Sequence, residues 1–241
     1  MNLKVIQTAP TLSTTLDTDG DGITDAVEGY QDSDLDGIPD YLDNTDTSNV
    51  LQQRVAVSAE NDGNFWLQSE SGVRLSLGAV ALSGTQSGAL VDNNTLLNSA
   101  IFAEFGSDSN YTNVGGLIDF EISNLTSPGD SVKIVIPQRQ VIPSNPVYRK
   151  LHSTDGWKTF ALNSGNRLYS AAGAEGICPS PESTAYNEGL VAGHWCLMML
   201  ITDGGANDAD GAVNGKIVDP GSVSKLIQQA VVSIPTIAAI T

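Results

Sequence analysis

An all-β fold, an antiparallel β-sandwich preceded by an acidic repeat segment with little regular secondary structure, is what this sequence predicts, and three observations predict it. Short runs rich in Val, Ile, Leu, Phe and Trp recur from Val50 onward. Many of them alternate apolar and polar residues, the period at which a strand buries one face. Gly, Pro, Asn and Asp punctuate the intervals, with little helical periodicity between them. Many short strands separated by turns pack as two sheets, because each sheet must cover its apolar face with another.

The elements follow in chain order. Residues 1–16 are Thr-rich and read as an extended lead-in, and residues 17–46 are the acidic segment. Arg54 to Glu60 and Phe65 to Ser69, joined at Asn61-Asp62-Gly63, read as a hairpin, and Val73 to Leu77 alternates cleanly. Gly84 to Asn94 reads as a turn-rich loop. Strands are expected at Phe102 to Phe105, Leu117 to Ser123, Ser131 to Ile136, Val147 to Leu151 and Trp157 to Phe160. Turns are expected at Pro128-Gly129-Asp130, Asp155-Gly156 and Asp219-Pro220. Trp195 to Thr202 is the most apolar run and reads as a central strand. The β domain is thus expected over 50–221, with 222–241 as a tail or linker.

Charge narrows the function classes. The chain carries a formal net charge of -17 with only 11 Lys and Arg, which leaves no basic face for nucleic acid or for an anionic membrane. The apolar tail Ser222 to Thr241 is interrupted by Lys225, Gln228, Gln229 and Pro235, so no membrane insertion is expected from it. Met1 to Leu16 lacks the apolar core of a signal peptide. Cys178 and Cys196 form a disulfide in an exported protein and are two separate thiols in a reducing compartment, where Cys196 would be a small buried hydrophobe. An acidic, Lys-poor, Ser/Thr/Asn-rich β protein favours export, and an exported chain without signal or anchor is expected to be a piece of a longer one.

The acidic segment is the most informative stretch. Eleven acidic residues and no Lys or Arg lie between Asp17 and Asp46. Such a run is ordinarily a solvated, disordered tail. Here, however, Asp17 to Glu28 aligns on Asp32 to Asp43, with Asp17, Asp19, Asp21, Gly22, Ile23 and Asp25 repeated as Asp32, Asp34, Asp36, Gly37, Ile38 and Asp40. A calcium ion takes six to eight hard oxygen ligands. Carboxylates at alternate positions, followed by a glycine free to take positive φ, are how a short chain surrounds such an ion. Glu28 and Asp43 close the two frames as candidate bidentate ligands.

The frame departs from an EF-hand. Ile23 and Ile38 directly follow the glycine rather than standing one residue later, flanking helices are absent, and Pro39 interrupts any helix after the second loop. The DxDxDGIxDxxE/D pattern instead resembles the thrombospondin type 3 repeat, over about 30 residues. That resemblance implies a chain wound around calcium ions as a stiff connector. Its ligands would be Asp17, Asp19, Asp21, Asp25, Asp32, Asp34, Asp36 and Asp40, with Glu28 and Asp43 closing. Many members end a repeat with cysteine, and this chain does not, so calcium alone would hold the segment.

A second acidic loop contains Asp203, Asp208, Asp210 and Asn214. Asp208, Asp210, Gly211 and Asn214 match the frame of Asp19, Asp21, Gly22 and Asp25, but Ala206 and Ile217 stand at its ends. The loop reads equally as a third calcium site or as a plain Gly/Asp/Asn turn. Phe120-Glu121-Ile122, Ser131 to Ile134, Val147 to Lys150, Gly156-Trp157, Cys178 to Cys196 and the stretch Thr202 to Gly221 together resemble the bacterial choice-of-anchor domain of type U. That resemblance implies an extracellular bacterial surface location, a Cys178–Cys196 disulfide and no catalytic activity.

Catalytic readings find little support in the residues. His152 and His194 stand in no metal-ligand spacing, and a Cys196/His194 dyad competes with the disulfide for the same sulfur. The chain is therefore expected to be a non-enzymatic, calcium-rigidified spacer and presentation module of a bacterial surface protein or adhesin, in contact with that protein's neighbouring domains. The alternative is a calcium-dependent module that binds a glycan or peptide, with Phe65, Trp66, Tyr111, Tyr148 and Trp157 as aromatic candidates.

Overall fold

In the computed structural model, described over residues 9, 11–54, 65–83, 88–91, 96, 98, 106–152 and 154–227, two antiparallel sheets face each other across one apolar core. The first sheet holds β1 (Val50–Gln52), β2 (Trp66–Ser69), β7 (Ser131–Pro137), β10 (Arg167–Ala171), β11 (Asn187–Glu188) and β12 (Cys196–Thr202). Its strand order is β1-β2-β7-β12-β10-β11. The second is built on β3 (Arg74–Leu77), β6 (Leu117–Ser123), β8 (Pro146–His152), β9 (Gly156–Thr159) and β13 (Ile217–Leu226), in the order β3-β6-β13-β8-β9. Two short strands join it at the side: β4 (Leu90–Val91) pairs with β6, and β5 (Tyr111–Asn113) pairs with β13. The chain is all-β, as the alternation predicts.

Register explains the core. Leu197, Met199 and Ile201 on β12 lie opposite Ile136, Ile134 and Val132 on β7, so both strands send alternate apolar side chains to the same face. Leu75 and Leu77 on β3 lie opposite Ile122 and Phe120 on β6 and meet that face from the other sheet. The β12 strand is interior to its sheet, which is why its run carries so few polar residues. Cys178 and Cys196 are joined in a disulfide that ties the start of β12 to the loop between β10 and β11.

Two expectations change. Asp219-Pro220 is not a turn. It lies inside β13, the central strand of its sheet, where Pro220 stands opposite Asp119 and Gly221 opposite Lys150. A side chain at position 221 would collide with the ring of Tyr148 and the carboxylate of Asp219, so glycine is required there by packing. The same strand continues through Ser222 to Leu226, paired with β8 and β5, so these five residues belong to the sandwich. The strand β2 pairs with β1 and β7, and the hairpin arm expected at 54–60 lies outside the described residues from 55 on, as do the strand expected at 102–105, most of the lead-in 1–16 and the tail beyond 227.

A buried carboxylate organises one edge. Asp119 on β6 accepts hydrogen bonds from the backbone N–H of Val80 and Ala81, both 2.8 Å, at the start of α1 (Ala79–Leu82). Gly78 precedes the helix, and a Cβ there would strike the Asp119 carboxylate. Burial pushes the Asp119 carboxyl up to about 7, against the pull of those two donors. Asp119→Ala should cost about 3 kcal/mol in urea unfolding, because two buried N–H groups lose their acceptor. Asp119→Asn, which keeps one acceptor oxygen, should cost roughly half as much.

Candidate metal centre

The two acidic loops are built alike, and the likeness extends to individual hydrogen bonds. The first carboxylate of each frame holds the backbone turn: Asp17 accepts from the N–H of Gly20 and Gly22, and Asp32 from the N–H of Asp36 and Gly37. The next pair each use one oxygen locally. Asp19 Oδ1 accepts from Asp21 N–H and Asp34 Oδ1 from Asp36 N–H, both at 3.2 Å. Asp21 Oδ1 accepts from Ile23 N–H at 2.7 Å, and Asp36 Oδ1 from Ile38 N–H at 2.6 Å. Gly22 and Gly37 take φ of 100° and 99°, the left-handed conformation that the frame requires.

These bonds leave oxygens over. The Oδ2 atoms of Asp19, Asp34 and Asp36 and the Oε2 of Glu28 are buried with no hydrogen-bond partner. In each loop, carboxylate oxygens of three residues lie within 4.8 Å of one another: Asp17, Asp19 and Asp21, then Asp32, Asp34 and Asp36. Removal from water chiefly, and then the mutual repulsion of these groups, disfavours their ionised forms. It pushes the carboxyls of Asp19 and Asp34 up to about 6, Glu28 to about 7, and Asp36 and Asp43 to about 8.

Asp25 and Asp40 play a different part. Asp25 accepts from both the N–H and the hydroxyl of Thr18, at 2.8 and 2.9 Å. Asp40 accepts in the same way from Ser33, at 2.7 and 2.8 Å. Both of their oxygens brace the loop across seven residues. The signal for this was in the sequence, where a hydroxyl residue follows the first aspartate of each frame. Glu28 and Asp43, the closing residues, sit where the repeats meet. A recess between the loops is lined by Asp21, Glu28, Asp40, Asp43, Asn44 and Asp46, and Tyr30 packs edge-on against Tyr41 beside it.

The loops differ in what lies beneath them. Ile38 is fully buried in the sandwich core, among a cluster that includes Leu77, Val80 and Ala81, whereas its counterpart Ile23 is 45% exposed. The carbonyl of Asp36 accepts from Leu77 N–H at 2.7 Å, and Gln52 donates its side-chain amide to the carbonyl of Leu42 at 2.7 Å. The second loop is thus docked on β3 and β1, whereas the first is bonded to the residues before it, Asp25 and Ala26 N–H donating to the carbonyls of Leu16 and Ser13.

The loop at Asp203 is arranged otherwise. Asp203 accepts from the backbone N–H of Gly129, Asn214 and Gly215. Burial opposes its ionisation, but the backbone donors together outweigh it and hold the carboxyl below its ordinary value. Asp208 accepts from Gly204 and Val218 N–H, and Asp210 from Ala212 N–H and the Asn214 side-chain amide. These carboxylates are committed to shaping the turn that leads into β13, and none has a buried oxygen left without a partner.

The other chemical candidates are dispersed. The Cys196 sulfur is consumed by the disulfide, and His194 Nδ1 lies 3.1 Å from Ser170 Oγ. Of the five aromatic candidates, Tyr148 and Phe65 are buried, and Arg139 covers the Phe65 ring. Arg149 covers the Tyr111 ring, and Trp157 is half-buried with its N–H on the carbonyl of Gly106. Trp66, at 37%, is the exposed one. Comparison with protein-family models, with curated proteins and with solved structures returned no match.

Proposed function

We propose that residues 17–46 bind calcium ions in two tandem loops, and that the chain is a non-catalytic, extracellular module of a larger bacterial surface protein or adhesin. In this reading it acts as a calcium-rigidified spacer that presents neighbouring domains. One observation carries the proposal: four buried carboxylate oxygens, on Asp19, Glu28, Asp34 and Asp36, have no hydrogen-bond partner inside the two repeated frames. A buried anionic oxygen without a donor is costly, and a cation is the partner that relieves it. The donor set is all oxygen, with neither imidazole nor thiolate, which suits a hard ion and a flexible coordination shell. Asp17, Asp19, Asp21 and Glu28 are assigned to the first loop, and Asp32, Asp34, Asp36 and Asp43 to the second, with Asp25 and Asp40 bracing them. No ion is assigned to the Asp203–Asn214 loop, because none of its carboxylates has a buried oxygen without a partner.

The resemblance to thrombospondin type 3 repeats and to the choice-of-anchor domain of type U supports the surface assignment, as does a disulfide, which persists in oxidising compartments. Titration calorimetry should register calcium uptake at millimolar concentration or below, and calcium should protect residues 17–46 from protease. Absence of heat and of protection at millimolar calcium would end the proposal.

A second reading, ligand binding by the β domain, is favoured by one feature. A cavity of about 520 Å³ is lined by Val147, Tyr148, Phe160, Leu162, Leu168 and Leu190, with Arg167 and Glu188 paired at its rim. Its apolar walls suit a peptide side chain better than a sugar, and Trp66, the exposed aromatic candidate, does not line it. Peptide and glycan arrays probed with and without calcium separate the readings, since reproducible capture of one defined sequence or sugar would displace the pure spacer.

A further inference from the structure

The core of the sandwich holds a lysine that no metal loop explains. Lys150 on β8 and Asp219 on β13 are both 0% exposed, and Nζ lies 2.7 Å from Oδ2. The register places Lys150 opposite Gly221 and Asp219 opposite Phe120, so both side chains occupy the core-facing side of their sheet. Apart from this contact, neither Lys150 Nζ nor Asp219 Oδ2 has a hydrogen-bond partner. Tyr148, two residues along β8, directs its hydroxyl to the other oxygen, Asp219 Oδ1, at 3.4 Å. The absence of a side chain at Gly221 is what admits the Tyr148 ring and the Asp219 carboxyl to the same space.

An ion pair sealed from water, with no other partner for the ammonium, is a poor resting state for a core. Burial lowers the lysine from its ordinary value and raises the aspartate, so both are driven toward their neutral forms. Asp119 and Asp208 also reach Lys150 through their fields and oppose its neutralisation. An uncharged amine against an uncharged carboxyl group, held together and dry, is the arrangement from which an amide forms.

The geometry points to an intramolecular isopeptide bond between Lys150 Nζ and Asp219 Cγ, formed by the protein on itself. The Lys150 ammonium first gives one proton to the Asp219 carboxylate. The amine lone pair then attacks Cγ, the C–N bond forms and the Cγ–Oδ2 bond breaks. Oδ2 departs with the acid's proton and one amine proton as a single water, so no oxidant, reductant or cofactor is needed. Tyr148 stays protonated, since burial raises its hydroxyl well above the ordinary phenol value. It acts as a positioning donor to Oδ1, where negative charge collects during the addition. Exclusion of solvent then removes the water that would reverse the step. The bond would lock the central strand β13 to β8, independently of calcium.

Intact mass spectrometry on the full chain, denatured and with its disulfide reduced, decides the matter. The main species should be one water lighter than its sequence mass, and a peptide map should yield a branched peptide joining Lys150 to Asp219. Lys150→Arg should restore the full mass, and Tyr148→Phe should slow the conversion in freshly made protein about tenfold. The wild-type mass alone is decisive if either variant fails to fold. A wild-type chain at full mass overturns the proposal and leaves a buried ion pair. A water loss that maps to an Asp-Gly step, such as Asp36-Gly37, and is regained in mild base overturns it equally, because that signature is a succinimide.

Discussion

Chelation of divalent cations at pH 8 should release residues 17–46 to protease, while the same chelation at pH 5 should leave them protected. The asymmetry follows from five carboxyls. Burial chiefly, and mutual repulsion next, raises Asp19 and Asp34 to about 6, Glu28 to about 7, and Asp36 and Asp43 to about 8 in the ion-free fold. In the unfolded chain the same groups titrate near 4. Between those values the folded segment binds more protons than the unfolded one, so stability falls as pH rises. The contribution is intact below about pH 4 and is lost progressively as pH passes through 6 to 8. At pH 5 most of the buried oxygens still carry protons, and at pH 8 most do not. Calcium supplies at pH 8 the positive charge that the protons have left, so its protective effect should grow across this window and its uptake should release protons. Cleavage within 17–46 should be on the order of tenfold faster without calcium than with it at pH 8, and nearly equal at pH 5. Equal protection with and without calcium at pH 8 would remove the ion from the account.

How far the sequence leads depends on the kind of signal. The strands β6, β7, β8 and β12 were legible because their apolar residues alternate or run together, and packing rewards that pattern directly. The central strand β13 was hidden because Pro220 and Gly221 are turn residues by local preference. Tertiary constraints override that preference: Pro220 is held opposite Asp119, and Gly221 leaves room for Tyr148. In the acidic loops the repeated frame was plain, as were the positive-φ glycines, since both are properties of neighbouring residues. The docking of the second loop was not, although Ile38 is identical to Ile23 in type and frame position. What separates them is the surface beneath, and one sequence does not say which of two identical residues has a core to enter. The Lys150–Asp219 contact was invisible for the same reason, because it depends on the register of two strands far apart in the chain.

Aspartates at the same position of the two frames give the second large effect. Asp21 and Asp36 make equivalent hydrogen bonds to Ile23 and Ile38, yet Asp21 is exposed and Asp36 is 1% exposed. Asp36 also lies at the seam with the sandwich, its carbonyl bonded to Leu77 and its neighbour Ile38 inside the core. With calcium present, Asp36→Asn should lower stability by about 3 kcal/mol, the linkage expected when a site saturated some hundredfold above its dissociation constant is lost. Asp21→Asn should cost about 1 kcal/mol or less in the unfolding of the sandwich, because the first loop is not docked on that core. With calcium removed at pH 8, the sign for position 36 should reverse. A neutral amide replaces a buried carboxyl that burial and Asp43 both oppose ionising, so Asp36→Asn should then be more stable than the parent. Thermal unfolding of both variants in calcium and in chelator measures all four values. A variant at position 36 that is stabilised in both conditions would show that this carboxylate answers to burial alone and holds no ion.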